Sequence, residues 1–418
     1  MYRFDRSYDR NAAKANNLCE KVSHLARHHR FTALAFLCCL LQLVILMSIK
    51  STLALLVIEL GGSMLLAGVL STMILVSTVV AKPFAGLMLD QKGARPMILL
   101  VGLLTIIATV GHMFSFSTYS LLWLFGCVVL VGVAHSAFSI TELTLFLRQS
   151  MSEAQNKYMV NLVGFNTVLA TAIAPTVSQG IMNRFGFLSL YCVLLIVGIL
   201  SILIFYLIAG KLRNMHMEPA VAGARQKRGW MRAVLEVCRD KTFALLFLSY
   251  MTWGVSNGAI LSFLNAYGVS IGIDSCALFF TIYSGVNIAL RWFVPACMER
   301  VGSRYILLLS YVCLSVGAIL LSRIQTPMDL ILPAILSGIG TSSIYTPIVE
   351  RAMACIPASA RMFGTSIFLV SFEIGQGIAS LIVGICSLAI GFAEIFFVIG
   401  LVQGIGIFTI YYGTKQRR

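Results

Sequence analysis

Charge is scarce in this chain of 418 residues. Asp, Glu, Lys and Arg together make up 11% of it, where soluble domains carry about 25%. No water-soluble core could hide the 59% of residues that are hydrophobic. Nucleotide-binding chemistry is missing as well: no Gly-x-x-x-x-Gly-Lys-Ser/Thr segment occurs, so ATP is not the expected energy source. There are eleven cysteines but no Cys-x-x-Cys pair and no His-Cys cluster at zinc spacing. Neither a disulfide framework nor a structural metal is expected, and Cys38, Cys39, Cys127, Cys192, Cys297, Cys313 and Cys386 read as small apolar packers in or beside apolar runs. Residues 1–30 are polar and charged, unlike a cleavable signal peptide. Clustered carboxylates or histidines on one membrane side, which an integral-membrane enzyme would want, are absent too, and an enzyme is not predicted.

What the chain has instead is apolar length. Twelve runs are long enough to cross a bilayer: roughly 31–58, 63–87, 96–115, 119–147, 157–181, 187–210, 242–267, 274–298, 304–323, 328–352, 362–385 and 390–413. In lipid every backbone amide needs an internal partner, so these are helices. The expected fold is an all-α membrane protein of two six-helix bundles, 31–210 and 242–413. A basic tail 1–30, a basic linker 211–241 and a short tail 414–418 flank them. In the linker, Trp230, Met231, Val234, Leu235 and Cys238 recur at helical spacing, an amphipathic segment suited to a membrane surface.

The net charge of +15 does not point to nucleic acid, because of where it lies. Of 31 Lys and Arg, seven fall in 1–30, eight in 211–241 and two or three in each of 88–95, 148–157, 299–304, 351–361 and 415–418. The loops at the other face hold only Arg184 and Arg323. This bias places both termini in the cytoplasm and the basic segments against an anionic inner leaflet. His24, His28 and His29 join that cluster, with metal sensing as the alternative reading.

A charged turn recurs at half the chain length. Gly86-Leu-Met-Leu-Asp90-Gln-Lys-Gly93-Ala-Arg95 sits between the second and third runs, and 209 residues later Lys82 falls on Arg291, Asp90 on Glu299, Gly93 on Gly302 and Arg95 on Arg304. A repeat at half-length marks a duplicated bundle. The turn resembles the loop between the second and third helices of the major facilitator superfamily, roughly G-x-L-x-D-R-x-G-R-R, with Gln91 in place of the usual basic residue. The resemblance spans nearly the whole chain and implies two pseudo-symmetric six-helix lobes rocking about a midplane cavity. It assigns Gly86, Asp90, Gly93 and Arg95, with Glu299, Gly302 and Arg304 as a weaker mirror, to gating.

Other matches are partial. Proton-linked members carry a buried Arg four residues before a Gly in helix four; here Gly132 is present but Val128 stands at the Arg position. The stretch 170–180 around Pro175 is loosely similar to an exporter element, the bacterial drug and metabolite branch being the nearest in pattern.

Ionisable residues inside apolar runs are the candidate cavity and proton-coupling groups. Lys50 lies well inside the first run, with snorkelling as its bland alternative. His135 and Glu142 lie seven residues apart and near one helical face, with helix packing and a salt bridge to Arg148 as their alternatives. Glu373 stands midway along its run with no base beside it in sequence. Trp253 and Asn257, and Asn287 and Arg291, belong to polar stripes that either line a cavity or join helices. The function these features predict is a secondary transporter of a small organic molecule, monomeric, in the cytoplasmic membrane, drawing on the proton motive force with no cofactor. Proton-coupled export of a drug, metabolite or metallophore leads. Uptake of a polar nutrient (nucleoside, amino acid or siderophore) is the alternative, and a non-transporting sensor the minor one.

Overall fold

The computed structural model describes residues 6–147, 153–212, 239–273, 276–291, 293–356 and 361–413. Most of the linker, the chain ends, Arg148, and the side chains of His24, His28, His29 and Asp90 lie outside the described residues.

Every described run is helical: α1 (Arg6–Glu59), α2 (Met64–Lys92), α3 (Ala94–Ser117), α4 (Leu121–Leu147), then Glu153–Leu212, α7 (Lys241–Ser270), α8 (Ala277–Arg291) with a short continuation α8′ (Val294–Val301), α9 (Ser303–Leu321), α10 (Ile331–Cys355) and Arg361–Gly413. Ten stretches among the described residues are long and apolar enough to cross a membrane. One of them, Leu162–Leu207, has 46 residues, about 69 Å of helix against roughly 30 Å of hydrocarbon. It reverses at Gly186, where φ is 80° and ψ 173°. We therefore count two arms, α5 (153–185) and α6 (187–212), and likewise α11 (361–390) and α12 (392–413) on either side of Gly391. With the shorter apolar helix Ala277–Arg291, the count becomes twelve.

Left-handed glycines record the duplication in the backbone. Gly61 and Gly272, Gly93 and Gly302, and Gly186 and Gly391 all have positive φ and stand at matching turns of the two halves. At the charged turn the reason is explicit. Gly93 (φ 83°, ψ 174°) and Gly302 (φ 89°, ψ 142°) each end one helix and start the next, their N–H donating to Leu89 O and Met298 O, in a glycine-favouring region that costs an L side chain about 1–3 kcal/mol.

The eighth run departs from expectation. Sequence reading makes 274–298 one span, but the helix stops at Arg291 and restarts at Val294 with Pro295 in its first turn. Proline supplies no N–H and its ring opposes helical continuation from the preceding turn, so the break falls just beyond Arg291.

Large apolar side chains cover the outside of the bundle. Leu122 is 80% exposed and Ile196 66%, untenable in water over so wide a surface but natural against lipid. Inside the first lobe, Ser201 Oγ donates to Cys38 O at 3.2 Å and Thr78 Oγ1 to Gly132 O at 3.1 Å. In the second, Tyr311 donates to Ser249 O at 2.6 Å and Gln403 to Thr252 O at 2.7 Å. The lobes meet along α1–α7, α2–α11 and α5–α8. At the end away from the charged turns this seam is tight. Thr72 Oγ1 donates to Gly377 O at 3.1 Å, the Cys276 N–H donates to Gln179 Oε1 at 3.2 Å, and Asn265 Nδ2 donates to Ser51 O at 3.5 Å. Gly68 lies against Gly384 backbone to backbone.

Candidate functional site

Across the seam, Lys82 of α2 donates to Glu373 of α11, the single ion pair among the described residues. Glu373 is therefore not the bare carboxylate its sequence neighbours suggest; its base comes from the other lobe. The two side chains are 23% and 14% exposed, and Glu373 Oε2 is buried without a partner. Lys50 of α1 is buried as well and lies within electrostatic range of both members of the pair. It lines a small cavity with Ser71, Ile74, Leu75, Gly258 and Gln376. His135 of α4 is within reach of the fields of Lys50 and Lys82, and its Nδ1 is buried without a partner. Three groups expected from sequence, Lys50, His135 and Glu373, thus lie within electrostatic range of a fourth, Lys82, which the sequence marks only as the repeat mate of Arg291.

Glu142 stands apart. It is 4% exposed, and its Oε1 accepts from Asn166 Nδ2 of α5 at 2.7 Å. Arg148, its anticipated partner, lies outside the described residues; the partner observed is an amide, and no cation among the described residues pairs with Glu142.

A second cavity opens in the other lobe, lined by Trp253, Asn257, Tyr283 and Thr341 together with Thr171 of α5. Leu261 borders both cavities, and Gln376 Nε2 donates to Asn257 Oδ1 at 2.8 Å, so this hydrogen bond helps form the partition between them. Each holds about 10 Å³, room for roughly one water, far below the few hundred Å³ a small organic ligand needs. Neither of these two cavities holds a substrate-sized space. Of the polar stripes, Trp253 and Asn257 face the cavity, Trp253 meeting Tyr250 edge-on with ring centres 5.3 Å apart and Phe372 at a tilt with centres 4.6 Å apart. Thr281 is exposed and bonds only its own helix. Asn287 is 1% exposed, and the Tyr283 hydroxyl faces Asn257, Asn287 and Thr341.

Arg291 crosses the seam from α8 to α5. Its guanidinium lies so close to Gly164 that a Cβ there would fall 2.6 Å from Cζ. Tyr283 and Tyr345 are its other electrostatic neighbours, and no carboxylate among the described residues pairs with it.

The gating candidates are at the basic end. Arg95 and Glu299 are exposed, and Gly86 has open space where a side chain would project. Arg304 stays within its lobe, donating to Tyr411 O at 3.3 Å with its guanidinium 4.9 Å from the Tyr411 ring centre, while Arg351 donates to Ser303 Oγ at 2.8 Å.

A family model described as Major Facilitator Superfamily matches residues 32–347. The Staphylopine export protein of Staphylococcus aureus (strain Mu50 / ATCC 700699) is 20% identical over 351 residues, which cover 82% of this chain and 86% of that protein. Among solved structures, a POT family transporter in complex with 5-aminolevulinic acid superposes with a TM-score of 0.77 at 14% identity, covering 93% of this chain and 97% of the other. The nucleoside transporter NupG gives 0.69 at 14% identity, over 93% and 100%. At such identities the two structures speak for the fold.

Proposed function

The chain belongs to the major facilitator superfamily, and from that premise we propose that it exports a small organic molecule across the cytoplasmic membrane in exchange for protons, by alternating access. The observation that carries this reading is the Lys82–Glu373 pair, an acid and a base donated by different lobes across the seam. A charge pair there is expensive to hold in lipid surroundings and keeps its place only where charge is exchanged or gated.

With the basic end cytoplasmic, the glycine-tight end is the outer one, and the present state is closed outward. Ionised Glu373 then holds Lys82 and ties α2 to α11. Substrate entering from the cytoplasm competes for this cluster and leaves with the lobes swung the other way. On the outer side a proton arriving at Glu373 neutralises it, releases Lys82 and frees the substrate, and returning the lobes delivers that proton inward. Glu142, held by Asn166, is a second proton-accepting carboxyl within the first lobe. Export over uptake rests on the exporter relative and on the Pro175 element of α5.

The test is flux in proteoliposomes under an imposed pH gradient, with pooled small molecules followed by mass spectrometry. Substrate moving opposite to protons, and losing its response to the gradient in Glu373→Gln, is the expected result. Movement with protons would replace export by the uptake reading. Undiminished gradient-driven flux in a folded Glu373→Gln protein would sink the role given to the pair.

A further inference from the structure

The two interlobe cations are repeat mates, but only one has an acid. Shifting by 209 residues takes Lys82 to Arg291 and Glu373 to position 164, which is Gly164. The structure keeps this correspondence in space. Lys82 of α2 reaches Glu373 of α11, and Arg291 of α8 reaches Gly164 of α5, where the guanidinium occupies the place a side chain would take. The second copy is an ion pair with its carboxylate deleted. No carboxylate among the described residues pairs with Arg291, and an arginine remains charged in any protein environment. A guanidinium half-buried at a helix seam without an acid is a ready docking point for an anion from outside the chain.

We propose that a carboxylate of the transported molecule completes it, so that the substrate is an organic carboxylate anchored by Arg291 at the α5–α8 seam. This rests on the transporter reading above and adds the substrate's chemical class. The other interior charges agree. Among the described residues at the seam, Lys50, Lys82 and Arg291 stand with one acid, Glu373, which is already engaged by Lys82; Glu142 is held by Asn166 inside its lobe. Arg291 offers the planar fork that takes a carboxylate through two parallel hydrogen bonds. The Tyr345 and Tyr283 side chains near it bring hydroxyl donors, and Tyr283 connects this corner to the cavity holding Trp253 and Asn257. A bound carboxylate would make α5–α8 the electrostatic counterpart of α2–α11, with both seams tied by a pair at once.

The experiment is equilibrium binding without any gradient, so that failure of the proton-coupling or direction reading leaves it untouched. Purified protein in detergent is followed by thermal unfolding with added glutarate, its uncharged analogue glutaramide, or inorganic phosphate. Glutarate should raise the Tm with concentration and glutaramide should not. Arg291→Gln should weaken the glutarate response about tenfold or more, and Arg291→Lys should retain part of it. Gly164→Glu, which restores the deleted carboxylate, should abolish the response, and Gly164→Ala, which adds only bulk beside a movable side chain, should keep it. Lys82→Gln should leave it in place. Size-exclusion profiles confirm that each variant is folded, and the lysine and alanine variants keep the test readable if one of the others is not. A rise with phosphate but not glutarate, a rise in neither, or an unchanged response in folded Arg291→Gln would each overturn the assignment.

Discussion

Gly68 offers a way to shift the molecule between its conformations by a calculable amount. A Cβ at this position would lie 2.6 Å from Ser380 O and 2.7 Å from Gly384 Cα, and a Cβ at Gly384 would lie 2.6 Å from Gly68 Cα. The obstacles are backbone atoms, so no rotamer change relieves them; α2 and α11 must separate. Overpacking of this kind costs about 1–3 kcal/mol. Because the clash exists only while this glycine-lined end, the outer one on the orientation proposed above, is closed, that energy enters the equilibrium between states, and Gly68→Ala should favour its opening by roughly 5- to 150-fold. The gain in helix propensity from alanine, about 1 kcal/mol, applies to α2 in both states and cancels. The assay is a spin-label distance between positions 59 and 270, Glu59 and Ser270 being exposed near that end on opposite lobes, in a background cleared of the eleven native cysteines. A longer distance should gain population in Gly68→Ala. Gly126→Ala, where an added Cβ meets nothing within 4 Å, serves as the control. If the two variants give the same distance distribution, the glycine contact is not what closes the outer end.

Two further outcomes follow from the same geometry. Lys82→Met leaves Glu373 without its base at a site less than a quarter exposed, and should lower stability by about 3 kcal/mol, the low end for breaking a buried pair; adding Glu373→Met should recover most of the loss, read as Tm in detergent. Gly93→Ala forces a side chain into φ 83°, ψ 174° at about 1–3 kcal/mol, whereas Gly86→Ala, with nothing near its Cβ and a helix-propensity gain of about 1 kcal/mol, should unfold no lower than the parent, and equal losses in both would refute the strain argument.

Much of the fold was legible because lipid imposes one rule on every segment. Apolar length and basic turns are properties of single stretches, and the 209-residue offset needs only the chain compared with itself. The left-handed glycines that close the turns follow from these. What escaped was pairing across the seam. Lys82 stands at the end of its apolar run beside Pro83, where a lysine reads as snorkelling, and its acid lies 291 residues away. Glu142 and Asn166 are 24 residues apart on different helices, and nothing local marks the asparagine. Arg304 mirrors Arg95 in sequence, yet it meets Tyr411, which is 107 residues further on. The break in α8 was readable in principle from Pro295, whose effect was submerged in an otherwise continuous apolar run.

The offset that revealed the duplication also held information about the site, in the positions where the halves disagree. Residues that set the hinge geometry recur in kind: Gly93 falls on Gly302 at the offset, and the turns at Gly61 and Gly186 have counterparts at Gly272 and Gly391 within a few residues of it. Residues at the seam do not. Lys50 falls on Ala259, Glu142 on Arg351 and Glu373 on Gly164. A symmetric pair of bundles can rock without help from such differences, since the motion needs only matching hinges and two alternative closures. Symmetric charges would give both seams the same electrostatic response. One seam carrying a complete acid–base pair and the other a cation alone gives them different responses, one to protons and one to an anion. Coupling between a proton and a substrate requires that distinction, and on the exchange reading proposed above the mismatch of Glu373 with Gly164 would provide it.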